Sequence, residues 1–213
     1  MAAGRLPRLL PAAFAAGPAS LAEHLARYGP PPAVGRDRRR QEALIGEVAR
    51  SGLRGRGGAG FPTAAKLAAV AAGSGPVVVA NGTEGEPASA KDKVLLARSP
   101  HLVLDGAVLA AELVGAREAV IVVHHAVREI VDDAVAERKD AGSDRVRIRM
   151  VTAADRFVGG EASAVIHWIE RGIPTPTRTP PRTSQRGLGG RPTLVQNVET
   201  LAHLALIGRY GAA

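Results

Sequence analysis

Leu102 to Val123 reads LVLDGAVLAAELVGAREAVIVV, and this stretch decides the fold. From Leu102 to Val114 apolar residues continue around the full turn of a helix, Gly115 stops it, and Ala119 to Val123 is an uninterrupted β-branched and alanine run of strand length. Upstream, Pro76 to Ala80 is a second short apolar run. The unit is therefore strand, helix, strand. Downstream, Val127 to Lys139 carries an apolar stripe opposite Arg128, Glu129, Asp132 and Asp133, and Val146 to Val151 supplies a third strand with Arg147 and Arg149 alternating outward. Strands alternating with helices predict an α/β fold: an open, mostly parallel sheet with helices on both faces and right-handed crossovers.

Further out, Gln41 to Arg50 and Pro62 to Ala72 read as helices, the second opening on a proline whose missing donor costs little there. Gly160 to Arg171 and Val198 to Ile207 add two more, separated by a Pro/Arg-rich loop from Gly172 to Pro192. Leu21 to Tyr28 suits a short helix that Pro30 to Pro32 would stop. The expected division is an N-terminal helical arm and linker over residues 1–40 and an α/β domain over 41–213.

The composition sets limits. Only 3% of the 213 residues are aromatic, so Ala, Val, Leu and Ile must build the core. The absence of cysteine excludes disulfides, zinc-thiolate sites and cysteine-ligated iron-sulfur clusters on this chain. The net charge of +8 does not point to nucleic acid, because the densest basic run, Arg36 to Arg40, has no aromatic residues interleaved for base stacking. An anionic small ligand or acidic protein partner is the expectation instead. Arg5 and Arg8 precede an apolar stretch broken by Pro7, Pro11 and Pro18, and no long apolar run follows, so the expectation is a cytoplasmic protein that does not itself span a membrane. His101, His124, His125, His167 and His203 show no metal-ligand spacing with nearby acids, and Trp168 reads as core packing.

Four clusters carry chemistry. SGLRGRGGAGFPT, Ser51 to Thr63, sets five glycines among Arg54 and Arg56, with Lys66 following one turn into the next helix. Glycines allow close backbone approach and aim successive N–H groups at an anion, so this is a phosphate cradle. It is neither a Walker loop, which ends Gly-Lys-Ser/Thr, nor a dinucleotide fingerprint, which follows a strand. The second cluster, Asn81-Gly82-Thr83-Glu84-Gly85-Glu86-Pro87, follows the first strand, where ligands of parallel sheets bind. Asn81 can bond a heterocycle, and Glu84 and Glu86 can receive sugar hydroxyls. The third is Phe157-Val158-Gly159-Gly160-Glu161, and the fourth is Val195 to Thr200, read as opening the last helix.

In this order the clusters resemble the flavin-binding domain of the flavin- and NADH-binding subunit of respiratory complex I and its relatives in soluble hydrogenases, over roughly residues 40 to 208. GLRGRGGAGFPT is the most specific element, and Asn197 to Leu201 after Gly190-Arg191-Pro192-Thr193 supports it independently. The resemblance implies a Rossmann-like flavin-binding domain. It places flavin mononucleotide (FMN) on Gly55, Arg56, Gly57, Gly58, Gly60, Lys66, Asn81, Glu84, Gly160, Glu161, Asn197 and Thr200, and NADH on Phe61 and Glu86.

Several departures fall on the NADH side. The family's Gly-Glu-Glu-Thr is here Gly160-Glu161-Ala162-Ser163, its Pro-Pro-Phe-Pro is Pro180-Pro181-Arg182-Thr183, and a second phenylalanine is replaced near Ala69. Thr83 stands where the family has an acid. By resemblance the chain is an FMN-binding electron-transfer module of an NADH dehydrogenase, an oxidoreductase that passes electrons to an iron-sulfur or ferredoxin-like partner. It would be free in the cytoplasm or peripheral to a membrane complex. The alternative is a scaffold homologue, with or without flavin, that has lost NADH oxidation.

Overall fold

The computed structural model describes residues 9–11, 17–84, 89–153, 161–173 and 182–212. A helix α1 (Leu21–Tyr28) is followed by α2 (Arg38–Arg50), α3 (Thr63–Ala71), β1 (Val77–Gly82), α4 (Lys91–Arg98), α5 (Pro100–Val114), β2 (Glu118–Val123), α6 (Arg128–Asp140), β3 (Arg147–Thr152), α7 (Ala162–Arg171), β4 (Thr193–Asn197) and α8 (Val198–Tyr210). The four described strands form one sheet in the order β3-β2-β1-β4, and every neighbouring pair is parallel.

Strand alternation divides the core. Val78, Ala80, Ala119, Ile121 and Leu194 point to the larger cluster, filled by α5 and α8 and joined by Leu96 of α4 and Val131 of α6. Val77, Val79, Val120, Val122 and Val195 point to the other face, which α7 covers with Ala164, Val165 and Ile166. Helices therefore lie on both faces, unequally. This explains why β1 reads as a continuous apolar run: it is buried on both sides.

Two elements differ from the sequence reading. Val195, Gln196 and Asn197 belong to β4 rather than to the opening of the last helix, because residues Thr193 to Asn197 pair along β1 and are all buried. The polar Thr193 is tolerated there because its hydroxyl donates to the Arg191 carbonyl and accepts from the Leu188 N–H, each at 2.9 Å. The other is α4, a short helix between the second cluster and α5, which meets α5 at a 98° bend where Ser99 precedes Pro100. Among the described residues, no single helix is long and apolar enough to cross a membrane.

The N-terminal helix packs on the domain through charge. Ser20 and Glu23 form a capping box at the start of α1, and Tyr28 and Val34 join the larger core cluster. His24 meets Asp105 of α5 at 2.6 Å, Arg138 of α6 donates to the same carboxylate at 2.8 Å, and Arg209 of α8 also donates to it. Arg138 is only 1% exposed and pairs on its other side with Asp144. Burial alone would raise the pKa of Asp105, but the His24 hydrogen bond and the charges of Arg138 and Arg209 outweigh it and hold the carboxyl far below its usual range.

His101, at the amino end of α5, is buried beside this cluster. Burial, with the Arg138 and His24 charges adding to it, pushes its pKa from 6.5 down to about 4. A base whose folded pKa is depressed binds its proton more readily in the unfolded chain, so its stabilising contribution is complete above pH 6.5 and is lost as pH falls toward 4. Urea unfolding across that window should show stability declining by up to about 1.4 kcal/mol per pH unit from this group. His101→Leu should flatten the decline, and an unchanged slope would remove His101 as its cause.

Candidate functional site

The chain leaves β1 toward β2 and returns after β3 to β4 on the far side of β1, so the strand order reverses between β1 and β4. Crevices at such reversals, beyond the carboxyl ends of the strands, are where open α/β sheets bind ligands. Asn81 and Asn197, paired across β1 and β4, mark that edge.

The glycine loop lies over it. Its base is closed by antiparallel bonds, Gly55 N–H to the Phe61 carbonyl and Thr63 N–H to the Leu53 carbonyl, each 2.9 Å. Its tip turns through Gly58 and Gly60, whose φ values of 103° and 59° strain any residue with a Cβ. Arg56 N–H donates to the Thr200 hydroxyl at 2.9 Å, and Gly57 rests against Asn197, so the loop is docked on the first turn of α8. Residues 56–59 make a loose turn, and among the described residues no well-aligned acceptor takes the N–H groups of Gly57, Gly58, Ala59 or Gly60. They form an exposed set of donors above the strand ends.

Lys66, in the second turn of α3, extends its ammonium to the Val195 carbonyl at 2.7 Å. No carboxylate neutralises it among the described residues, and burial lowers its pKa. The loop after β1 is held from within: the Asn81 side-chain oxygen accepts from the Thr83 N–H at 3.0 Å and from its hydroxyl at 2.6 Å. Thr83 thus fixes the turn that an acid at that position could not fix in the same way. Glu84 accepts from Ser89 and from the Asp92 N–H through one oxygen, while its second oxygen is buried without a partner among the described residues.

Asp92 is the residue to which the sequence reading gave no role. It is 1% exposed at the first turn of α4, accepts from the Asn197 amide at 2.6 Å and receives Lys91 at 2.6 Å. Burial raises its pKa, against the lowering effect of those two bonds. Burial pulls Lys91 downward, yet Asp92 and Glu199 more than compensate and leave its pKa raised. Asn197 is thereby saturated: its oxygen caps α8 through the Glu199 N–H at 3.0 Å, and its amide holds Asp92. A Lys-Asp pair just past the second cluster was the available signal, hidden by the short helix on which it sits.

The structure therefore brings together Gly55, Arg56, Gly57, Gly58, Gly60, Lys66, Asn81, Glu84, Asn197 and Thr200 around the ends of β1 and β4. Phe61, 54% exposed, stands at the foot of the glycine loop with its ring open to a stacking partner. Glu161 stands at the residue before α7 without a side-chain capping bond, and its carboxylate accepts from the Ser163 hydroxyl at 2.6 Å. Glu86 and Gly160 lie outside the described residues, as do Gly85, Pro87, Phe157 to Gly159, Pro180 and Pro181.

This arrangement fits FMN on two observations. The free amides beside Lys66 suit a phosphate, and the partnerless Glu84 oxygen suits a hydroxyl donor of a ribityl chain. Gly57, Gly58, Gly60 and Lys66 would hold the phosphate end, with Gly55 closing the base of the loop, and Glu84 would hold the chain.

The chain is similar to known proteins in sequence and in fold. Residues 48–206 match the family model described as the Nuo51 FMN-binding domain. The F-type subunit of the NADH-quinone oxidoreductase of Aquifex aeolicus is 36% identical over 179 residues, covering 78% of this chain and 42% of that protein. The alpha subunit of the NAD-reducing hydrogenase HoxS of Cupriavidus necator is 36% identical over 187 residues, covering 80% of this chain and 31% of that one. A crystal structure of an NAD+-reducing [NiFe]-hydrogenase in the H2-reduced state superposes with a TM-score of 0.75 at 37% identity, over 81% of this chain and 32% of that chain. The chain spans less than half the length of these relatives. With the glycine loop, Lys66 and the β4–α8 junction all inside the matched span, the chain belongs to the Nuo51 FMN-binding domain family.

Proposed function

We propose that this chain binds FMN at the β1/β4 edge and serves as the flavin module of an NADH-oxidising enzyme, delivering electrons to an iron-sulfur or ferredoxin-like partner. When bound, FMN supplies the hydride-accepting chemistry. The protein's own contribution is placement. The glycine-loop amides and the un-neutralised Lys66 ammonium fix an anion, Glu84 orients a polyol, and the exposed Phe61 offers a stacking face to the nucleotide. The observation that carries the reading is the set of unaccepted amides beside Lys66 at the strand-order reversal. A cytoplasmic location, with attachment to a larger complex through that partner, accords with the reading, as does the division into an arm over residues 1–40 and a flavin domain over 41–213.

The decisive experiment is reconstitution with FMN followed by anaerobic NADH. A yellow protein that bleaches supports the dehydrogenase module, and a colourless protein with no titratable FMN overturns the reading. A yellow protein that stays oxidised supports the scaffold alternative, which Ala162 and Arg182 favour because each stands where the resemblance expects a nicotinamide-side or adenine-side contact. Lys66→Ala should weaken FMN binding by about ten- to a hundredfold, the equivalent of losing a hydrogen bond to a charged group. Fluorescence titration of FMN measures it, with Lys93→Ala as the unaffected control.

A further inference from the structure

The opposite, amino-terminal edge of the sheet carries a second concave site. A cavity of about 620 Å³ opens there between the segment before α2, the carboxyl end of α5 and the turns that lead into β2 and β3. Arg36, Arg38, Arg117 and Arg145 line it, with Glu112 the one carboxylate among them. Glu112 is already committed: it accepts from the N–H groups of Val34 and Gly35 at 2.8 and 3.0 Å, and so anchors the segment that presents Arg36. Arg145 reaches back over Gly35 from the far wall.

The other acids near this edge are spent as well. Asp37 caps α2 and pairs with Arg40, Glu42 pairs with Arg38, Asp144 with Arg138, and Glu118 with Arg147, Arg149 and Arg191. Arg36, Arg117 and Arg145 are left without a carboxylate among the described residues, three guanidinium groups facing one cavity. Like charges gathered in this way repel one another, and an anion with more than one charged group relieves that repulsion while matching the planar donor forks. The cavity has the volume of a small-molecule site, and its concavity suits a compact ligand better than a protein surface.

We propose that this cavity binds a small organic polyanion, through phosphate or carboxylate groups held by Arg36, Arg117 and Arg145, at a site separate from the flavin edge. Isothermal titration calorimetry of the chain at low salt, with inorganic pyrophosphate and with citrate as probes, tests it. Saturable binding of either probe is expected, and the tighter of the two assigns phosphate or carboxylate. The double variant Arg117→Gln/Arg145→Gln should weaken that binding by about tenfold or more. Arg39→Gln/Arg40→Gln, which removes the same charge outside the cavity, should change it by about twofold or less. FMN titration should be unaltered in both variants, so failure here is distinguishable from failure of the flavin reading. Equal losses in the two double variants overturn the proposal. Binding of oligoglutamate that excludes both probes at far lower concentration would also overturn it, by giving the face to an acidic protein.

Discussion

Replacing Asp105 with alanine is expected to lower the stability of this fold by about 3–5 kcal/mol, the usual cost of removing one partner from a buried ion pair. The reason lies in what stays behind. Arg138 and Arg209, 1% and 4% exposed at their side chains, would lose the carboxylate they share, and His24 would lose its only carboxylate partner among the described residues. Asp144 would still hold Arg138, whereas Arg209 has no other carboxylate partner among the described residues. Because His24 sits on α1, the same change should expose the segment before α2 to limited proteolysis before the rest of the domain unfolds. Denaturant titration gives the first quantity, and mass spectrometry of early cleavage products the second. A loss below about 1 kcal/mol would mean that the cluster is solvated and contributes as a surface pair does.

Gly106→Ala should be nearly as damaging, for a steric reason. A Cβ at Gly106 would lie 1.9 Å from the Leu201 carbonyl oxygen and 2.3 Å from its carbon, which are backbone atoms with no rotamer to escape into. Helices α5 and α8 would have to separate along the line where they pack most closely, at a cost of about 3 kcal/mol. Gly46→Ala, within α2, is the internal comparison. The nearest atom to its Cβ would be the tip of Arg50 at 3.7 Å, and the gain in helix propensity should stabilise by up to about 1 kcal/mol. Opposite signs at two helical glycines, read from urea midpoints, would separate close approach from intrinsic propensity, and equal signs would refute the argument.

Much of this architecture was legible because β1, β2 and the central helix α5 are apolar and buried almost all round. Val77 to Val79 and Ala119 to Val123 can be nothing but interior strand, and Gly115 in the left-handed conformation ends α5 where the sequence says it should. The elements that escaped are polar ones whose polarity is satisfied locally. Thr193, Gln196 and Asn197 disguise β4 because they are polar yet buried, and the hydrogen bonds of Thr193 and Asn197 are closed by neighbours that no periodicity reveals. Helix α4 escaped because KDKVLLAR is brief and charged, with only Leu95, Leu96 and Asp92 turned inward.

The candidate site at the β1/β4 edge was legible in its glycines and Lys66, which reflect backbone geometry and charge written directly into residue type. Asp92 was not, since a carboxylate's burial depends on which strand end its helix meets. The cavity at the opposite edge was equally out of reach, because Arg36, Arg117 and Arg145 converge only once three separate turns are folded against one another.

Asn197 ends β4 and caps α8 at the same time, with no residue between them. A joint of zero length has no slack, so strand and helix form a single bent rod. Just past the bend that rod carries Thr200, which seats the glycine loop, and near the far end of its helix it carries Arg209, which reaches the buried charges beneath α1. Each added residue in a helix turns the chain by about 100°, so evolution could not lengthen this junction without swinging Thr200 away from the loop it supports. The cradle's position is thus set by the same rigid piece that anchors the amino-terminal helix, about two and a half turns of α8 away.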